Sequence, residues 1–330
     1  MRRIAAAALL VAPALLLTAC GSSGKSTSAD SASSPSASAS PSQAPVPPVV
    51  DSADPMPVVG GSFGKSATVA LPKDKPSGKF VVHTLSSGSG QTVGAKDVAV
   101  TKLLVKDWTT GKTLTDYSSA PLVDPLAQGS IAALEKGLVG HKVGSRVLVV
   151  APPAAAAGQM DTSQLKISAS DTLVFVLDIT QDVAPDAQAS GTPQTEPAGL
   201  PKVDASGKKA ATITVPSGVK APTTLKTAVL VKGHGPKVAA GQTVVVQYTL
   251  ATWANGGKSL QSTWDSGSPF STQIGVGSVV KGWDQGLVGQ TVGSRVLLVI
   301  PPSLGYGSSA QGSIPANSTL VFVVDILGAA

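Results

Sequence analysis

The sequence predicts an α+β protein made of two copies of one antiparallel-sheet domain. Three observations predict it. Leu173-Val-Phe-Val-Leu-Asp-Ile179 returns 147 residues later as Leu320-Val-Phe-Val-Val-Asp-Ile326. Gly137-Leu-Val-Gly-His-Lys-Val-Gly-Ser-Arg-Val-Leu-Val-Val-Ala-Pro-Pro153 returns as Gly286-Leu-Val-Gly-Gln-Thr-Val-Gly-Ser-Arg-Val-Leu-Leu-Val-Ile-Pro-Pro302. That period is the length of a duplicated domain, far longer than a solenoid unit. Within each copy, β-branched apolar runs are punctuated by glycine, and a single short helical pattern is present.

The chain opens on Met1-Arg2-Arg3, then an apolar run from Ile4 to Leu17 and Leu17-Thr18-Ala19-Cys20. A basic start and an apolar stretch too short to span a bilayer make a secretory signal, residues 1–20. Small residues before a cysteine resemble the lipobox of bacterial lipoproteins, in which the cysteine is diacylated and becomes the new N-terminus. Cys20 is the sole cysteine of the chain. It is therefore the expected lipidation site, with anchoring to the outer face of the bacterial cytoplasmic membrane, and the mature body has to fold without disulfides. Residues 21–55 are Ser, Ala and Pro with few large apolar groups. Such a segment cannot bury enough surface to fold and is expected to act as a disordered tether with a reach of roughly 30 Å.

Residues 56–180 form the first copy, residues 181–199 a polar, Pro-containing linker read as a second tether, and residues 200–330 the second copy. In the second copy, Ser278 is a candidate N-cap, and Val279, Trp283 and Leu287 share one helix face at i, i+4 and i+8. Gly289 suits the left-handed residue that ends such a helix. Arg295–Ile300 reads as a strand stopped by Pro301-Pro302, and Tyr306 is set between Gly305 and Gly307.

Several chemistries are excluded. Gly-Lys-Ser or Gly-Lys-Thr occurs at Gly24, Gly64, Gly111 and Gly257, but a P-loop needs a glycine five positions earlier. Those positions hold Ala19, Val59, Lys106 and Thr252. His83, His141 and His234 are isolated, without the spacing of a metal site. No cofactor is expected. The formal charge of +6 is spread along the chain, without the cluster that a nucleic-acid partner requires.

Aromatics make up only 4% of the chain, so their placement is informative. Tyr248, Phe270, Trp283, Tyr306 and Phe322 lie on different elements of the second copy. Aligned by the repeats, the first copy has Lys102, Leu122, Leu134 and Ala157 opposite the first four, and Phe175 opposite Phe322. A fold that does without the first four aromatics in one copy has them in the other for binding.

The motifs Gly241-Gln-Thr-Val-Val-Val-Gln-Tyr-Thr249, Gly282-Trp-Asp-Gln-Gly-Leu287, Val292-Gly-Ser-Arg295, Pro302-Ser-Leu-Gly-Tyr-Gly307, Ile314-Pro315 and Leu320-Val-Phe322 resemble FKBP-type peptidyl-prolyl cis/trans isomerases. The resemblance spans roughly Leu225 to Leu327 in order and spacing. It implies two FKBP-like domains, each an antiparallel sheet wrapped around one short α-helix, the first with an altered pocket. It implies catalysis of X-Pro rotation by Tyr248, Trp283, Tyr306 and Phe322. Trp283 would be the floor, Tyr248, Phe270 and Phe322 the walls, Val279 and Val280 one side, Leu260 and Gln261 a further edge, and Ile314 the rim. The Val280 N–H and the Tyr306 hydroxyl would hold substrate carbonyls. The implied partners are proline-containing unfolded or exported polypeptides and macrolide inhibitors.

The chain departs from the family at Leu260-Gln261, where Phe-Asp is usual, and at Ser266, where the aspartate's arginine partner is common. Gln261 can donate a hydrogen bond but places no negative charge beside the rotating carbonyl. Trp264-Asp265 stands just downstream as a candidate compensation. The expected function is that of an extracytoplasmic, lipid-anchored prolyl isomerase whose first copy is a non-catalytic module. The alternative is a holdase chaperone that grips proline-containing or apolar segments without turnover.

Overall fold

The computed structural model describes residues 44–330, apart from 161 and 164. The signal segment, Cys20 and most of the expected tether lie outside the described residues. The first copy comprises β1 (Val49–Val50), β2 (Val58–Gly60), β3 (Thr68–Ala70), β4 (Phe80–Ser86), β5 (Val98–Asp107), β6 (Thr113–Thr115), β7 (Leu122–Pro125), α1 (Ala132–Leu138), β8 (Arg146–Ala151) and β9 (Leu173–Val183). The second comprises β10 (Gly191–Pro193), β11 (Lys202–Asp204), β12 (Thr212–Thr214), β13 (Lys226–Gly233), β14 (Thr243–Thr252), β15 (Ser259–Ser262), α2 (Thr263–Ser266), β16 (Phe270–Gln273), α3 (Lys281–Leu287), β17 (Arg295–Ile300) and β18 (Leu320–Ala329).

The two sheets have matching orders, β1-β4-β8-β9-β5-β6 and β10-β13-β17-β18-β14-β15, with β7 and β16 also pairing to β5 and β14. All these pairs are antiparallel except β1 with β4, as the predicted fold class requires. The last strand of each copy runs through the middle of its sheet. That explains why Leu320–Val324 is apolar without alternation: both of its faces are buried. Leu320, Phe322, Val324 and Ile326 face the cluster around α3, while Val321 and Val323 face a second cluster behind the sheet.

The second cluster is closed by a hairpin that the repeat motifs do not show. Val203 of β11 and Ile213 of β12 pack on Trp253, Leu297 and Val321. In the first copy, Val59 of β2 and Val69 of β3 pack in the same way on Trp108, Leu148 and Val174. Trp108 Nε1 donates to Asp74 O at 3.1 Å and Trp253 Nε1 to Val219 O at 3.2 Å. An arginine fastens each hairpin to the sheet. Arg146 donates to Gly61 O and Ser66 O, both at 2.9 Å, and pairs with Asp178 at 2.6 and 2.7 Å. Arg295 donates to Ala205 O at 3.3 Å and pairs with Asp325 at 2.6 and 2.7 Å. The duplication therefore reaches further back in each copy than the matching motifs do. Three-residue strands with Thr and Lys give too little periodicity to read.

Two stretches read as tethers are more ordered than their composition suggests. Val49 and Val50 pair in parallel with Phe80 and Val81, so the structured chain begins before residue 55. In 181–199, β9 continues to Val183 and β10 pairs with β13. Ser190 N–H donates to Gly293 O at 3.0 Å and Ala189 N–H to Asp325 Oδ2 at 2.9 Å. The segment buries little apolar surface, yet its backbone groups find partners on the second sheet, which composition cannot show.

The two copies touch through their last strands. Gln181 Nε2 donates to Leu327 O at 2.8 Å, and Val98, Val183, Val245 and Leu327 form one buried cluster. Asp182 sits at this junction, held by Gln91 Nε2 at 2.6 Å, with its Oδ1 buried and without a hydrogen-bond partner among the described residues. Burial raises its carboxyl to about 7, against the Gln91 hydrogen bond and with the help of Asp97. The folded state thus binds a proton that the unfolded chain releases near pH 3.9. The resulting stabilisation is complete below about pH 4 and is lost as the pH rises through about 7. Urea titrations between these limits should show stability falling with pH, and Asp182→Asn should flatten the slope.

Candidate active site

The second copy brings four aromatic rings together over α3. Trp283 meets Phe322 at 5.3 Å, Tyr248 at 5.6 Å and Phe270 at 6.3 Å between ring centroids. Tyr248 meets Phe322 at 5.9 Å and Phe270 at 6.0 Å. All five contacts are edge-to-face, which suits ring quadrupoles. Trp283 and Phe322 are buried, whereas Phe270 is 39% exposed, so the group of rings, called the bowl below, reaches the surface at Phe270.

Each ring has a local cause. Gly282 and Gly286 bring α3 close to β17. A Cβ at Gly282 would stand 2.4 Å from Ile300 Cγ2, and one at Gly286 2.5 Å from Leu298 Cδ2. With the helix that close, Trp283 and Leu287 reach the sheet. Gly289, at φ +86°, follows the helix end as the sequence predicts. Its start differs from the prediction. The N-cap is Val280, in extended conformation, and Ser278 makes no cap. The anchor is Asp284, whose carboxylate accepts from Gly275 N–H at 2.6 Å and Gly277 N–H at 2.9 Å. Both glycines have positive φ, so the preceding loop folds back on the first turn and leaves Val279 and Val280 against the bowl.

Tyr248 lies where β14 changes partners. β16 pairs with residues 243–246 and β15 with 249–251, and α2 fills the gap. Tyr248 N–H donates to Thr263 Oγ1 at 2.8 Å, and Ser262 Oγ donates to Tyr248 O at 3.1 Å. Sequence reasoning missed this clamp; the Ser-Thr pair after Gln261 was its only signal. Burial raises the Tyr248 phenol above its ordinary pKa, and the nearby Tyr306 phenol adds to the shift. Tyr306 itself is 36% exposed. Leu260 and Ile314, the latter 6% exposed, pack on the same cluster. Gln261 is exposed, opposite Leu250 in the ladder, and Trp264 is not among the rings in contact.

Polar groups of the bowl are unengaged by the protein. Among the described residues, no hydrogen bond reaches Trp283 Nε1, the Val280 N–H or the Tyr306 hydroxyl. A buried, unpaired indole N–H is a costly feature for a site whose only task is packing.

The first copy is different. By register, Tyr248 lies opposite Val324 and Leu103 opposite Leu177, the counterpart of Val324. The counterpart of Tyr248 is therefore Leu103, not Lys102, because the offset between copies is two residues shorter on this strand than on the last one. Leu122, Leu134 and Ala157 take the other positions. Met160 and Ile167 pack on the same cluster, and Gln159 Oε1 accepts from the Ala132 N–H at the start of α1 at 2.9 Å. The first copy has aliphatic groups where the second has rings.

A family model described as FKBP-type peptidyl-prolyl cis-trans isomerase matches the chain twice, at residues 90–180 and 235–327. FK506-binding protein 2 of Dictyostelium discoideum is 48% identical over 93 residues, 28% of this chain and 68% of that protein. FK506-binding protein of Streptomyces anulatus is 41% identical over 98 residues, 29% of this chain and 78% of that protein. The crystal structure of FkpA from Escherichia coli shares 37% identity and covers 34% of this chain and 52% of that chain, with a TM-score of 0.30.

Proposed function

Because the chain belongs to the FKBP-type peptidyl-prolyl cis-trans isomerase family, we propose that its second copy is the working isomerase of a lipid-anchored, extracytoplasmic protein. The activity class, prolyl isomerisation, is that of the family. The substrates are X-Pro bonds of exported polypeptides, the anchor is Cys20, and the first copy is non-catalytic.

The observation that supports this best is the four-ring bowl with its unpaired indole and phenol. Rotation about an X-Pro bond is opposed by amide resonance, a barrier of about 18–20 kcal/mol. Twisting removes the resonance and makes the carbonyl less polar. A site that seats the proline ring on Trp283, between Tyr248, Phe270 and Phe322, exchanges water for ring faces. The planar, strongly hydrated amide loses more by that exchange than the twisted one, so the twisted form is bound preferentially. On this reading the Val280 N–H and the Tyr306 hydroxyl hold the flanking carbonyls, and Leu260, Gln261, Val279 and Ile314 border the site. No group takes or gives a proton. FK506-type macrolides, for which the relatives are named, are ligands for the same bowl.

The exposed Phe270, Val276 and Tyr306 around the mouth favour a second role, holding apolar segments. Cis/trans exchange of a blocked X-Pro peptide by the full chain tests the main reading, with catalysis expected and inhibited by FK506. No exchange, with an unfolded client still kept from aggregating, would select the holdase reading instead.

A further inference from the structure

A concavity borders the bowl at Leu260, with a volume of about 500 Å³, a size that suits a short stretch of ligand. Trp253, Asn255, Leu260, Ser313, Pro315 and Asn317 line it. It is continuous with the site already described: Leu260 packs against the bowl, and Ser313 and Pro315 flank Ile314 of the rim. Its wall includes Ala221, which follows the β11–β12 hairpin and precedes the second family match at 235–327. The cleft is thus built partly from chain that the family domain does not supply.

The lining contains no Asp, Glu, Lys, Arg or His. It offers the Trp253 ring and Leu260 as apolar surface, and the Ser313 and Asn317 side chains have no hydrogen-bond partner among the described residues. Such a surface can satisfy a peptide backbone, but it has nothing to offset the desolvation of a charge.

Resting on the isomerase reading above, we propose that this cleft holds an uncharged, extended segment of the substrate next to the proline, and so selects neutral over charged flanks. Binding energy gained there, away from the rotating bond, helps to seat the proline in the bowl.

The test uses the full chain and two substrates, a blocked tetrapeptide that fills only the bowl and a longer peptide with four uncharged residues on each side of the proline. Ala316→Trp, at an exposed position on the cleft wall, blocks the cleft. Tetrapeptide turnover should stay unchanged, while kcat/KM for the long peptide falls about tenfold. Glutamates placed in one flank should lower kcat/KM for wild type and have little further effect on Ala316→Trp. Equal turnover of the long peptide by wild type and Ala316→Trp, or indifference to charge on both flanks, overturns the cleft proposal alone. No turnover of the tetrapeptide by wild type overturns the isomerase reading and the cleft with it.

Discussion

Replacing Trp283 by leucine is expected to lower kcat/KM for an X-Pro peptide by about 10- to 100-fold, or about 1.4–2.7 kcal/mol of transition-state stabilisation. The indole meets three rings of the bowl and is 3% exposed, so its loss removes the floor on which the proline ring would rest. Leucine, which stands at the equivalent position of the first copy, keeps the helix apolar but leaves a void. That void should destabilise the second copy by roughly 2–4 kcal/mol. Because activity and stability move together in this variant, a second one separates them. Tyr306→Phe deletes only a hydroxyl that has no hydrogen bond among the described residues. It should reduce kcat/KM by roughly fivefold, as loss of one hydrogen bond of about 1 kcal/mol would, and leave Tm unchanged. Full activity in both variants would remove the bowl from the mechanism.

Arg146→Leu should destabilise the first copy by about 3–5 kcal/mol, enough to separate its unfolding from that of the second copy in a denaturant titration. Asp178 is fully buried, and Arg146 is its charged partner at 2.6 and 2.7 Å. Removing the guanidinium leaves an uncompensated carboxylate in the core and releases the loop between β2 and β3, which it binds through Gly61 O and Ser66 O. The double variant Arg146→Leu/Asp178→Leu should recover much of the loss, because two apolar groups leave no charge to desolvate. The corresponding Arg295→Leu should cost less. The Arg295 side chain is 14% exposed against 7% for Arg146, so water can take up part of the charge left on Asp325. Equal stability of wild type and Arg146→Leu would show that the pair is not holding the hairpin.

Much of the fold was legible because its causes are local or periodic. Arg295–Ile300 is a strand of β-branched residues ended by proline, and it forms over those residues. Gly289 ends its helix by taking a positive φ that other residues avoid. The repeat announced two copies of one scaffold, and the absence of Trp and Tyr from one copy at the positions equivalent to Tyr248, Trp283 and Tyr306 singled out the other. The helix start was misread because the choice between Ser278 and Val280 depends on Asp284 reaching back to two glycine N–H groups, a contact across a loop.

What the sequence by itself determined is the duplication, the antiparallel class, the short helix that bears Trp283, and the set of aromatics that distinguishes the copies. Each depends on residue identity at fixed spacing. Tertiary structure alone decided the register, because strands are aligned by their hydrogen-bonded neighbours and loops absorb insertions. Tyr248 and Leu103 are 145 residues apart, while Phe322 and Phe175 are 147 apart. It also decided that the polar stretch 181–199 lies along the second sheet, that a hairpin covers the back of each sheet, and that the rings meet in a bowl. These are contacts between residues distant in the chain, set by which backbone groups and apolar faces are left to be satisfied once the sheets have formed.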